Sequence, residues 1–272
     1  MKIGFIGGGN MAQALMGGLR ARHDDARFVV VEPHGPTRDI VAHFMTHVAL
    51  HDVPSADLAT CDAVVVAVKP QQFREAVTPA ARWLDGPLIV SIAAGIRTRE
   101  IAHWLGADGS PRAIVRAMPN TPALIGEGIT ALYAMPTVDQ RGRDLAQTMM
   151  AAVGQTLWVD TENALDAVTA VSGSGPAYVF SFIEALEQGG IELGLDAGDA
   201  RRLAVATFVG ASRLAAASEE PIAALRERVT SKGGTTHAAL THMTESGCQM
   251  AIVQAIHAAA KRSAELGDEF GK

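Results

Sequence analysis

Cysteine is scarce in this 272-residue chain: Cys61 and Cys248 lie far apart, each among apolar or small residues. Neither belongs to a Cys-x-x-Cys pair or to a Cys/His spacing suited to a metal. That leaves no disulfide framework and no expected metal site, and it suits reduced thiols in a cytosolic protein. Positive charge is also in short supply. With 23 Lys and Arg against 29 Asp and Glu, the net charge is −6 and the pI is near 5.8. No basic tract exceeds a few residues, so a nucleic-acid partner is set aside. No apolar run reaches the roughly 18 residues of a membrane span. The N-terminus enters a glycine loop at once, without the apolar region and cleavage pattern of a signal peptide, so no membrane partner and a cytoplasmic location are expected. Internal repeats, low-complexity tracts and a flexible linker are missing as well.

What is present is a globular composition, 48% hydrophobic and 19% charged, long enough for one or two domains. Residues 2–6, 27–32, 62–68, 87–92 and 113–118 read as short apolar strands, with 130–134 and 155–159 as later ones. Residues 11–22 have helical spacing, and 33–36 read as a turn. Strands alternating with helices predict a parallel sheet covered on both faces, continuing to about residue 160. Beyond residue 161 the chain becomes Ala-rich with helical periodicity over 176–193, 199–217, 221–229, 235–245 and 249–266, punctuated by Gly194, Gly198, Pro221 and Gly247. The division falls between 1–160 and 161–272. Apolar residues on several faces of the later helices point to an intimate homodimer, with a monomeric bundle as the alternative.

Gly7-Gly8-Gly9-Asn10-Met11-Ala12 fits G-x-G-x-x-A between the first strand and the first helix. There the glycines permit a tight turn and close approach of a pyrophosphate to a helix N-terminus. Gly7, Gly9, Asn10, Met11 and Ala12 are accordingly expected to bind a dinucleotide, NADP(H) or NAD(H). Glu32, at the end of the second strand, suits the ribose 2′-OH of NAD and repels a 2′-phosphate. His34, Thr37 and Arg38 just beyond suit that phosphate instead, so the two signals conflict. Val68-Lys69-Pro70 and Ala93-Ala94-Gly95 follow the next two strands at the edge where ligands bind in such sheets. Met118-Pro119-Asn120-Thr121-Pro122 follows another, its prolines stiffening a loop able to hold Asn120 near a nicotinamide.

The stretch 229–236, Val-Thr-Ser-Lys-Gly-Gly-Thr-Thr, sets hydroxyls and a Gly-Gly pair ahead of a helical run. It reads either as an ordinary capped helix start or as a site aiming free amides at a small anion. Ser172 to Ala177 forms a glycine-hydroxyl turn into another helix, with Pro176 in its first turn.

Taken together, these stretches resemble the pyrroline-5-carboxylate reductase family over essentially the whole chain. The resemblance rests on residues 4–12, Ala67-Val68-Lys69-Pro70-Gln71, residues 118–122, Val171-Ser172-Gly173-Ser174-Gly175-Pro176-Ala177-Tyr178 and Gly233-Gly234-Thr235-Thr236, in the family's order. It implies an α/β, Rossmann-type doubly wound N-terminal domain and an all-α C-terminal dimerisation domain, with the active site between them completed by a partner subunit. The implied reaction is hydride transfer from NAD(P)H to the imine carbon of 1-pyrroline-5-carboxylate, giving L-proline. The amides of Gly233, Gly234 and Thr235 would anchor the substrate carboxylate, with Ser231 also binding substrate and Ser174, Gly175 and Pro176 beside substrate and nicotinamide. Thr236 would hydrogen-bond the imine nitrogen, relaying a proton second. The resemblance also implies a homodimer able to assemble into a larger ring such as a decamer.

Three positions depart from the family's pattern. Lys232 stands where proline is usual, Glu32-Pro33 replaces an uncharged or basic turn, and Pro54 replaces an asparagine that contacts the adenosine half. The alternatives are a reductase of another cyclic imine, a hydroxyacid dehydrogenase, which would need a Lys or His base that Ser172-Gly173-Ser174-Gly175 lacks, and a non-catalytic dinucleotide-binding protein. His237, His242 and His257 receive no catalytic role, and Trp83, Trp104 and Trp158 read as packing residues.

Overall fold

The computed structural model describes residues 1–106 and 112–270. The chain forms two compact units: Met1–Ser174 together with the segment from Ala259 onward, and Gly175–Ala258.

The first unit runs β1 (Lys2–Ile6), α1 (Asn10–Arg22), β2 (Arg27–Val31), α2 (Gly35–Phe44), β3 (Val48–His51), β4 (Ala63–Val66), α3 (Phe73–Val77), β5 (Leu88–Ser91), α4 (Thr98–Trp104), β6 (Ile114–Met118), β7 (Gly128–Ala134), α5 (Gln140–Ala151), β8 (Gly154–Trp158) and α6 (Ala164–Val168). One eight-stranded sheet results, in the order β3-β2-β1-β4-β5-β6-β7-β8. Alternate residues of each strand feed opposite faces, as a period of two requires. Ile3, Phe5, Ala63 and Val65 join α1 and α5 in one apolar cluster. Ile6, Val64 and Val66 join Phe73, Val77 and Ile101 in the other. Ala12, Leu15, Met16 and Leu19 of α1, at helical spacing, are fully buried. Leu15, Met16 and Leu19 each contribute roughly 1.5–3 kcal/mol by leaving water.

Two local expectations are corrected and one strand is added. The sheet is mixed, because β7 pairs antiparallel with β6. Only residues 119–127 separate the two strands, too few for the dozen or more that a parallel crossover requires, so the chain folds back. Residues 33–36 are not simply a turn, since α2 begins at Gly35 with a proline in its first turn. β3 adds an edge strand that apolar content does not announce, as none of its residues is fully buried.

The second unit holds α7 (Gly175–Glu192), α8 (Ala197–Ala216), α9 (Ile222–Arg228), α10 (Thr235–Glu245) and the first half of α11 (Cys248–Phe270). Phe182 and Phe208 pair α7 with α8, their ring centroids 6.3 Å apart. Yet α7, α9 and α10 bury no residue within one chain. Among the described residues, no helix is long and apolar enough to cross a membrane.

Candidate active site

Strand order reverses between β1 and β4, the point at which open α/β sheets form a ligand crevice at their carboxyl edge. Gly7 lies there with φ +98°, and a Cβ on it would stand 2.6 Å from the Ala67 carbonyl oxygen. Only glycine fits. Its amide donates to the Val31 carbonyl at 2.8 Å, closing the turn onto β2. Gly9, the N-cap of α1, has no side-chain capping bond, and a Cβ on it would meet nothing within 4 Å. Asn10, Met11 and Ala12 form the first turn, whose amides have no intrahelical acceptor and carry the positive end of the helix dipole. An open, glycine-lined approach to those amides fits a pyrophosphate. Gln13, which the sequence reading passed over, braces the loop through Nε2 to the Gly8 carbonyl at 2.8 Å.

At the end of β2 the conflicting residues have separate partners. The Glu32 carboxylate accepts from the Gly8 amide at 2.8 Å and from the His34 amide at 2.9 Å. Arg38 donates from Nη1 to the carbonyls of Glu32 at 2.7 Å and Pro33 at 2.8 Å. Its cation thus rests on neutral oxygens. His34 Nδ1 lies 3.0 Å from Thr37 Oγ1.

Val68, Lys69 and Pro70 follow β4, with Lys69 exposed and Val68 packed on the second cluster. Ala93, Ala94 and Gly95 follow β5, and Gly95 takes φ +78°. These two loops share the carboxyl edge with the Gly7 turn and Glu32. Asn120 follows β6, and its amide is engaged on both sides. Oδ1 accepts from the Ile129 amide at 2.9 Å, and Nδ2 donates to the Ser172 carbonyl at 3.2 Å. It ties the 118–122 loop to the next turn, a bridging role that the stiff-loop argument did not foresee. That turn is a π-helical segment, Thr169–Gly173, with the Ser174 amide donating to the Thr169 carbonyl at 2.8 Å. Gly175 and Pro176 then open α7.

In the second unit, Gly233 has φ +78° and Gly234 is the N-cap of α10, without a side-chain capping bond. The Gly234 amide donates to the Ser231 carbonyl at 3.0 Å. The first-turn amides of Thr235, Thr236 and His237 therefore carry the anion-binding capacity of this 11-residue helix. Ser231, Thr235 and Thr236 are exposed within the single chain.

Sequence reasoning also missed a buried charge network in the first unit. Arg116, in β6 and 3% exposed, donates to Glu162 at 3.0 Å, while Glu162 accepts from the Thr98 amide at 2.7 Å and the Thr98 hydroxyl at 3.0 Å. Burial pulls the Arg116 pKa down, and Glu162 opposes that shift. No periodicity signals a pair 46 residues apart.

An open glycine turn at the strand switch, with a carboxylate at the end of the next strand, is the arrangement of a nicotinamide-dinucleotide oxidoreductase. Residues 2–95 match the family described as NADP oxidoreductase, coenzyme F420-dependent. Residues 162–266 match the family described as pyrroline-5-carboxylate reductase dimerisation. The chain is 42% identical to a pyrroline-5-carboxylate reductase of Pseudomonas aeruginosa, covering 100% of this chain and 98% of that protein. A Haemophilus influenzae pyrroline-5-carboxylate reductase is 40% identical, covering 98% of each. The solved structure from Coxiella burnetii superposes with a TM-score of 0.88 at 37% identity over 97% of both chains. The NADP-bound Plasmodium falciparum pyrroline carboxylate reductase does so with a TM-score of 0.85 at 28% identity over 98% of both. The chain belongs to the pyrroline-5-carboxylate reductase family.

Proposed function

We infer that the protein reduces 1-pyrroline-5-carboxylate to L-proline, the last step of proline biosynthesis, with NAD(P)H as reductant. The relatives named for this reaction support the reading at full length. The observation that carries it is the pairing, in one chain, of an open glycine turn with an uncapped α10 whose first turn bears Thr235 and Thr236.

When bound, NAD(P)H would supply a hydride to the imine carbon, and the imine nitrogen of the substrate would take the proton that completes the amine. This chain's residues position and polarise. Gly7, Gly9, Asn10, Met11 and Ala12 hold the pyrophosphate. Glu32, His34 and Arg38 meet the adenosine ribose, and Val68, Lys69, Pro70, Ala93, Ala94, Gly95 and Asn120 frame the rest of the cofactor. Ser231, Gly233 and Gly234 shape the loop, whose Gly234 amide is taken by the Ser231 carbonyl, so the first-turn amides from Thr235 onward anchor the substrate carboxylate, while Ser174, Gly175 and Pro176 flank the ring. The Thr236 hydroxyl donates to the imine nitrogen, favouring the electron-poor imine that accepts hydride. We assign dinucleotide binding to residues 1–160 and substrate binding with dimerisation to 161–272. The working species is a homodimer in the cytoplasm, able to assemble into a larger ring such as a decamer.

The test is loss of nicotinamide absorbance when pyrroline-5-carboxylate meets the protein with NADPH or NADH. Thr236→Ala should lower kcat by roughly 10²-fold with cofactor affinity retained, and Thr236→Ser should recover most of it. Full activity in the Ala variant would remove Thr236 from the chemistry.

A further inference from the structure

The loop after β5 is held from a distant part of the sequence. Gly95, with φ +78°, is covered by the end of α11: a Cβ on it would lie 3.2 Å from Leu266 Cβ and 3.5 Å from the Gly267 nitrogen. The contact is reciprocal. A Cβ on Gly267 would lie 3.1 Å from the Gly95 carbonyl oxygen and 3.0 Å from Arg97 Nε. Two glycines thus meet backbone to backbone, so closely that a methyl on either would force its neighbours to shift by a few tenths of an ångström.

A polar relay lies alongside. Ser263, 4% exposed, donates its hydroxyl to Asp166 Oδ1 at 2.7 Å. Asp166 Oδ2 accepts from Arg97 Nη2 at 2.7 Å, and Arg97 Nη1 reaches Asn163 Oδ1 at 3.3 Å. The Arg97 and Asp166 side chains are 15% and 12% exposed, so the pair is little screened by water. Asp166 is thereby engaged from both sides, by α11 through Ser263 and by the loop through Arg97.

We propose that the Ser263–Asp166–Arg97 relay, with the Gly95–Gly267 contact, is a latch by which the last turns of α11 fix the Ala93–Arg97 loop in the shape that receives the dinucleotide. Ser263, Asp166, Arg97 and Gly267 are positioning residues and touch no reactant. The role rests on the reading that this loop contacts the cofactor. Its physical basis does not: Ala93 and Ile96 pack in the second apolar cluster, while Gly95 between them is free to leave the left-handed region unless α11 covers it.

Hydrogen exchange on the cofactor-free protein tests the latch directly. Ser263→Ala removes one hydroxyl and keeps the fold, whereas Gly267→Ala inserts a methyl into the backbone contact. Amides of residues 93–97 should exchange about tenfold faster in both variants, with strands β1 and β4 unchanged. In parallel, fluorescence titration with NADH and NADPH should show dinucleotide Kd rising about fivefold to tenfold, about the net contribution of one ordinary hydrogen bond. At saturating cofactor, kcat and the KM for pyrroline-5-carboxylate should stay within about twofold of the parent. Faster exchange confined to residues 259–270, or faster loop exchange with unchanged dinucleotide Kd, would overturn the proposal while leaving the reductase reading intact. A parent protein that binds neither dinucleotide would instead sink the functional reading, and the latch's role with it.

Discussion

The carboxylate of Glu32 accepts the amide proton of Gly8 at 2.8 Å, so the acidic end of β2 and the glycine turn of β1 are one hydrogen-bonded unit. With its other oxygen on the His34 amide, this carboxylate also shapes the entry to α2.

Cofactor preference should therefore respond to Glu32 and Arg38 in opposite senses. Replacing Glu32 by Gln removes a negative charge that opposes a 2′-phosphate. The ratio of kcat/KM for NADPH over NADH is expected to rise about tenfold, or roughly 1.4 kcal/mol. Arg38→Ala should lower the same ratio by a similar factor. Movement of both ratios in one direction would show that neither side chain reads the phosphate.

Gly7 and Gly9 should fail differently when changed to alanine. At Gly7 the new methyl meets the Ala67 carbonyl oxygen in a left-handed backbone, so the protein should unfold several degrees lower and bind no dinucleotide. Gly9 has φ −69° and open space around it, so the alanine variant should melt within about 2 °C of the parent. Its dinucleotide affinity should nevertheless fall at least about tenfold, since the methyl occupies the pyrophosphate approach. Calorimetry and cofactor titration on the two variants separate these outcomes.

Glu162→Ala leaves the guanidinium of Arg116 buried without its carboxylate. Removing one partner of such a pair destabilises by about 3–5 kcal/mol, which a urea midpoint would show as a large shift at constant slope. A change under about 1 kcal/mol would mean that water reaches Arg116.

The Cys61 thiol, 6% exposed, is pushed up to about 11 by burial, with Lys2 opposing the shift. The unfolded chain loses this proton near the ordinary thiol value of 9.0 and the folded protein only near 11. Between those values the folded state binds the extra proton, so stability should decline as pH rises through that window. Urea unfolding at pH 8, 9.5 and 11, parent against Cys61→Ala, measures the difference. At pH 8, native Cys61 should resist iodoacetamide.

The parts legible in the sequence were those written in local pattern. The apolar runs of β1, β2, β4, β5 and β6 and the glycine turn between β1 and α1 each announce themselves within a dozen residues. So does α10, whose start at Thr235 follows from the Gly-Gly pair before it. β3 stayed hidden because an edge strand needs little apolar content, and β7's direction because it depends on loop length rather than composition. Glu32 was found as an acceptor at the expected place, but its bond to the Gly8 amide depends on the β1–β2 register. The Asp166 carboxylate joins residues 69 and 97 positions away, which only the folded backbone brings together.

Because α7 buries none of its residues within one chain, with Phe180 60% and Leu186 50% exposed, the helical unit draws much of its apolar stabilisation from a second copy. Its folding free energy then contains a mass-action term. The melting temperature should climb with protein concentration, and a lone subunit at high dilution would keep its dinucleotide sheet while its helices loosen.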